Sequence, residues 1–122
     1  MRISRKKTDT KLQKKVESSL FQTLADLSTS KQVETFLRDF LTQYELSQLA
    51  KRLFISYMLE KNTPYNLIKK QLNVSSATVA QVQSMIDKDK GGLTLALKKI
   101  EAENWADEKT KAFSDFFKKI LS

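Results

Sequence analysis

Five side chains between positions 76 and 81 carry the chemistry that stands out in this sequence of 122 residues: Ser76, Ala77, Thr78, Ala80 and Gln81. All are small or hydrogen-bonding, and no acidic residue follows before Asp87. A helix face of that composition suits the major groove of DNA. The Gln81 amide can bond bidentately to adenine, and the methyl group of Thr78 or Ala80 can meet a thymine methyl. The same residue types are ordinary on any solvated helix, so their weight rests on the elements that position them.

Those elements are two short helices joined by a tight turn, with the motif spanning residues 63–88. Pro64 suits the first helical position, where its missing N–H is no loss, and Thr63 can cap the free N–H groups there. Ile68 and Leu72 share the inner face of the first helix. Asn73 falls where the chain must turn sharply, and asparagine tolerates left-handed backbone. Val74 plugs the corner, and Ser75 or Ser76 caps a second helix whose inner stripe is Val79, Val82 and Ile86. Apolar residues in this order hold two helices at a steep angle, the helix-turn-helix of DNA-binding proteins. A helical hairpin in an α-helical core has the same pattern.

Composition narrows the function. There is no Cys and no His, so thiolate chemistry, the usual general base and the commonest metal ligand are missing. No cluster of acids or lysines converges by spacing. We expect no catalytic residues, no metal and no cofactor, and the chain does not read as an enzyme. The formal charge is +8, from 22 basic and 14 acidic residues. Residues 1–15 hold seven basic side chains against Asp9 alone, a net +6, which leaves +2 for the remainder. Such an arm suits a polyanion, and equally a solvated tail that aids solubility. No apolar run approaches the 18 or so residues of a membrane span, and Lys11, Lys14, Lys15 and Glu17 interrupt any signal-peptide core. We expect a cytoplasmic protein.

Two glycines, one proline and a helical apolar period nearly throughout predict an all-α fold. Residues 1–8 form a basic arm and residues 9–105 the main domain. Leu12, Val16, Leu20, Leu24 and Leu27, widened by Phe21, make one stripe of a long first helix. Ser28-Thr29-Ser30 ends it and caps a second helix with Val33, Phe36, Leu37, Phe40 and Leu41. Thr42-Gln-Tyr-Glu45 is a capping box, opening a third helix with Leu46, Leu49, Ala50, Leu53 and Tyr57 inside. Gly91-Gly92 stop the recognition helix. A sixth helix follows with Leu93, Leu97 and Ile100, and residues 106–122 form an additional C-terminal helix carrying Phe113, Phe116, Phe117, Ile120 and Leu121. The apolar strips at both ends have no partner in the hairpin, which predicts a homodimer.

From Phe40 to Ile86 the sequence resembles the Trp repressor family. Leu41-Thr-Gln-Tyr-Glu-Leu-Ser-Gln-Leu-Ala-Lys-Arg-Leu53 is similar to the family's third helix, and Asn73-Val-Ser-Ser-Ala-Thr-Val79 to its turn and recognition-helix start. The resemblance implies an intertwined all-helical dimer with the two motifs projecting as reading heads. It sets Lys51 and Arg52 of the third helix, with Lys69 and Lys70 of the first motif helix, on the DNA-facing side. Phosphate contacts are expected from these four and from Arg5, Lys6 and Lys7 of the arm. In the tryptophan-sensing member two arginines sandwich the corepressor's indole. Arg52 matches one, Gln81 stands in place of the other, and Ser75 replaces a family glycine. Gln lacks the planar cation of that clamp, so we expect no tryptophan-dependent DNA binding, with Arg52 pairing instead with Glu45 or with phosphate. The function implied is a sequence-specific DNA-binding transcription regulator of bacteria, with any small-molecule effector unknown. A protein-interaction module and a non-specific nucleic-acid binder are the alternatives.

Overall fold

A computed structural model describes residues 3, 6–106 and 119. Among these residues there are six helices and no strand: α1 (Thr10–Asp26), α2 (Ser30–Phe40), α3 (Gln43–Glu60), α4 (Tyr65–Leu72), α5 (Ser76–Asp87) and α6 (Gly92–Ala106). Arg5 of the arm and the predicted C-terminal helix, apart from Lys119 and from Ala106, which ends α6, lie outside the described residues. The chain forms two compact units, Met1–Leu46 and Ser47–Ser122, with the boundary inside α3.

In the first unit each helix starts where a side chain can satisfy the orphan N–H groups. Asp9 accepts hydrogen bonds from the Lys11 and Leu12 N–H groups at 3.0 and 3.3 Å. Thr29 Oγ1 accepts from Gln32 N–H at 3.1 Å. The capping box closes as expected: Thr42 Oγ1 accepts from Glu45 N–H at 3.0 Å, and the Glu45 carboxylate accepts from Thr42 N–H at 2.9 Å. The Thr42 N–H first, and the Thr42 side chain after it, hold the Glu45 carboxyl below its ordinary pKa. Phe36 and Phe40 stack with ring centroids 5.0 Å apart. Neither α1 nor α2 has a buried residue.

The core lies in the second unit. Ile55, Tyr57 and Met58 of α3, Ile68 of α4, Val79 and Val82 of α5 and Leu97 of α6 are all buried, ringed by partly buried Leu72, Val74, Ile86, Leu93 and Ile100. The inner-face residues expected of the motif are therefore in place. The α3 stripe is different. Leu49, Ala50 and Leu53 were expected inside and are exposed, because α3 is apolar on two sides and the motif packs on the side that carries Ile55 and Met58.

Two further expectations are corrected. Thr63 does not cap α4. Its N–H donates to the Met58 carbonyl at 2.9 Å, just after left-handed Asn62 (φ 61°). Thr63 thus finishes α3, with its hydroxyl buried and unpartnered among the described residues, and Pro64 becomes the N-cap rather than the first helical residue. Nor do the glycines stop α5, which ends at Asp87 with Lys88 as its C-cap. Gly91, at φ +105°, makes the turn into α6. There Asp89 accepts from the N–H groups of Gly91, Leu93 and Thr94 and from the Thr94 hydroxyl. The Thr94 hydroxyl is the main cause of a lowered Asp89 pKa. Tyr57 Oη donates to Glu101 Oε2 at 2.9 Å and Lys61 Nζ lies 2.8 Å from Glu101 Oε1, clasping α6 to the end of α3. That carboxylate raises the Lys61 pKa.

Candidate nucleic-acid interface

The turn between α4 and α5 sets how α5 is presented. Asn73 adopts the left-handed conformation (φ 54°, ψ 55°) that ends α4, and Val74 N–H returns to the Lys69 carbonyl at 3.2 Å. The chain leaves this corner extended at Ser75, which is the cap of α5. Ser75 Oγ accepts from Thr78 N–H at 3.1 Å and lies 3.0 Å from the Thr78 hydroxyl. At φ −83° Ser75 occupies backbone open to any residue, so a serine stands without strain where the resembling family has glycine.

From that start α5 turns Val79 and Val82 into the core and leaves Ser76, Ala77, Ala80 and Gln81 exposed. Thr78 is half-buried, its hydroxyl beside the Ser75 cap. Four of the five candidate base-reading side chains therefore share an exposed face, on a helix whose other side is locked. The cationic candidates are dispersed. On α4 Lys70 is exposed and Lys69 half-buried, and on α3 Arg52 is exposed and Lys51 half-buried. Lys6 and Lys7 are exposed in the first unit.

The structure brings some of these residues together in a way that spacing alone does not show. Lys51 and Arg52 of α3 face Thr78 and Gln81 of α5 across a partly enclosed cleft of about 260 Å³. Ile55, Val74, Val82 and Met85 supply its apolar surface, and Gln48 completes the polar side. Gln48 was not among the sequence candidates. Its signal was available, since it precedes Lys51 by three positions and Arg52 by four, the separations that share a helix face. Lys69 and Lys70 do not line the cleft.

The ion pair expected between Arg52 and Glu45 is not present: the two lie seven positions apart on α3, a rise of roughly 10 Å, and the Glu45 carboxylate accepts from Thr42 N–H. Among the described residues the ion pairs are Lys31–Glu34, Arg38–Glu34 and Lys61–Glu101. Among the described residues neither Lys51 nor Arg52 has an ion-pair partner, and both line the cleft beside α5. Among those same residues no group of acids could hold a metal ion, and no helix is long and apolar enough to cross a membrane.

No curated protein and no solved structure matches the chain. The family described as Trp repressor protein matches it over residues 15–101. The match covers most of the sequence and runs through the motif, the cleft and the α3–α6 clasp. With a fold that is all-helical among the described residues, it establishes that the chain belongs to the Trp repressor family, a family of DNA-binding regulators.

Proposed function

We propose that this protein is a sequence-specific transcription regulator that reads double-stranded DNA with α5, as a homodimer and without tryptophan as corepressor. One observation carries the reading: Ser76, Ala77, Ala80 and Gln81 stand exposed on a helix whose opposite face is fixed by Val79 and Val82 at 0% and 3% exposure. A recognition helix reads with the residues of its first turns, and these are the first turns of α5. Gln81 is the side chain suited to adenine, and Ala77 and Ala80 offer methyl contacts. Lys69, Lys70, Lys51, Arg52 and the arm, with Arg5, Lys6 and Lys7, supply phosphate contacts that bind every sequence alike.

Exposed apolar area supports the dimer. Leu12, Val16, Leu20, Phe21 and Leu24 of α1 and Leu49 and Leu53 of α3 are 38–63% exposed. Seven large apolar side chains on two helices suit the interface of an obligate dimer, of the kind that buries more than ~2,000 Å² in total. No tryptophan is needed, because the core residues already hold α5 and Gln81 cannot supply the second cation of a stacking clamp.

The test is Gln81→Ala. On the preferred duplex it should lose about 1–3 kcal/mol and relax one base position, while binding to scrambled duplex is unchanged. Equal binding of parent and variant to all duplexes would remove Gln81 from the reading face.

A further inference from the structure

Ala50, Leu53, Phe54 and Tyr57 of α3 and Ile100 of α6 line an apolar groove of about 240 Å³. The four α3 positions fall at i, i+3, i+4 and i+7, a single stripe of that helix. Ala50 and Leu53 are exposed, Phe54 and Ile100 are half-buried, and only Tyr57 is buried. No residue of α4 or α5 is among the described lining, so the groove is separate from the face that carries Gln81. Apolar surface of this kind gains free energy when something apolar covers it.

The rest of the chain supplies the cover. The family match stops at residue 101, and the sequence continues to Ser122 with Phe113, Phe116, Phe117, Ile120 and Leu121 at helical spacing. On that spacing Lys119 falls on the polar side, and Lys119 is helical and exposed. Groove and segment belong to the same compact unit. The tether is long enough. From Ile100 to Ala106 α6 rises about 9 Å, and the six residues before Phe113 can span up to about 20 Å, so Phe113 can return to the level of Ile100. A tether this short holds the segment at an effective concentration on the order of millimolar, which favours it over a second copy in dilute solution. An apolar cavity of about 150 Å³ takes a benzene ring, so this groove has room for one phenylalanine ring and part of a second side chain.

We propose that residues 107–122 fold back on their own chain and seat the face carrying Phe113, Phe116 and Phe117 in the groove between α3 and α6. The segment would then tie the end of the chain to the end of α3, adding to the Tyr57–Glu101 and Lys61–Glu101 contacts that already hold α6 there. It leaves α1 and Leu49 to the second copy, and it does not depend on the DNA-reading role of α5.

The experiment uses the full chain, which has no cysteine of its own. Ala50→Cys and Ser114→Cys are introduced together and joined with a short bis-maleimide. The expected product is a crosslink within one chain, its yield independent of protein concentration and falling to background when Phe116→Asp and Phe117→Asp are added. A crosslink between two chains would give the groove to a second copy, and no crosslink would seat the segment elsewhere. Either result overturns the proposal. Thermal unfolding without the cysteines is the second readout. Ala50→Glu sets a charge in the groove and should lower Tm by about 4 °C or more, as should the Phe116→Asp, Phe117→Asp pair. All three together should lower it little further, because each change removes the same contact. Additive losses, or a Tm that Ala50→Glu leaves unchanged, would overturn the proposal as well.

Discussion

The α1–α2 region and the region from α3 through α6 carry apolar residues at the same helical spacing, yet only the second buries them. Leu20 and Leu24 in α1 keep 39% and 38% of their surface exposed, and Leu12, Val16 and Phe21 more than half. Ile55, Met58, Ile68 and Val79 keep none. The difference is one of partners. α4 and α5 fold back on each other through a left-handed Asn73 and pack on α3, so each stripe meets another stripe in its own chain. Neither α1 nor α2 has a buried residue, and the homodimer proposed above would cover their apolar faces. Helix periodicity states that a face is to be covered. It does not state which chain covers it.

Substitutions in the two regions should therefore fail in different ways. Ile68→Ala removes side-chain volume from the middle of the motif core and should cost about 2–5 kcal/mol of stability, read by urea unfolding. A loss below 0.5 kcal/mol would mean that this core is not packed as described. Leu20→Asp has no core to damage within one chain. It should instead weaken self-association at least tenfold, measured by sedimentation across protein concentrations. If Leu20 remains solvent-exposed in solution, the substitution will leave the mass unchanged and shift stability by only about 0.5 kcal/mol or less. The smallest effect is a gain. Thr63→Val keeps the shape of a side chain that is 3% exposed and removes its unpartnered hydroxyl, so stability should rise by about 1 kcal/mol. A loss of similar size would show that the hydroxyl has a partner.

Much of the second region was legible in the residues. Ile68, Val79 and Val82 at the centre, Asn73 at the turn, Ser75 at the cap and the Thr42–Glu45 box follow from short-range rules: periodicity, capping and tolerance of left-handed backbone. The structure departs from these rules where local signals compete. Thr63 suited a cap by type, but its backbone was claimed by the end of α3, and a residue that closes one helix does not cap the next. The glycine pair suited a helix stop, but Lys88 ended α5 first and Gly91 served the following turn. The two faces of α3 were both apolar, and nothing in the spacing says which one the motif chooses. The cleft was the least legible feature, because it joins positions 48–55 to positions 74–85 and only tertiary packing sets that separation.

If α5 reads sequence in a dimer without a small-molecule effector, selection of bound duplexes from a random pool will reveal the site. The full chain is used at near-physiological salt with no tryptophan added. One short motif repeated with twofold symmetry should be enriched, its half-sites about one helical turn (~10 bp) or a multiple apart. A pool that stays random after repeated rounds, or one that is enriched only when L-tryptophan is supplied, would contradict that reading.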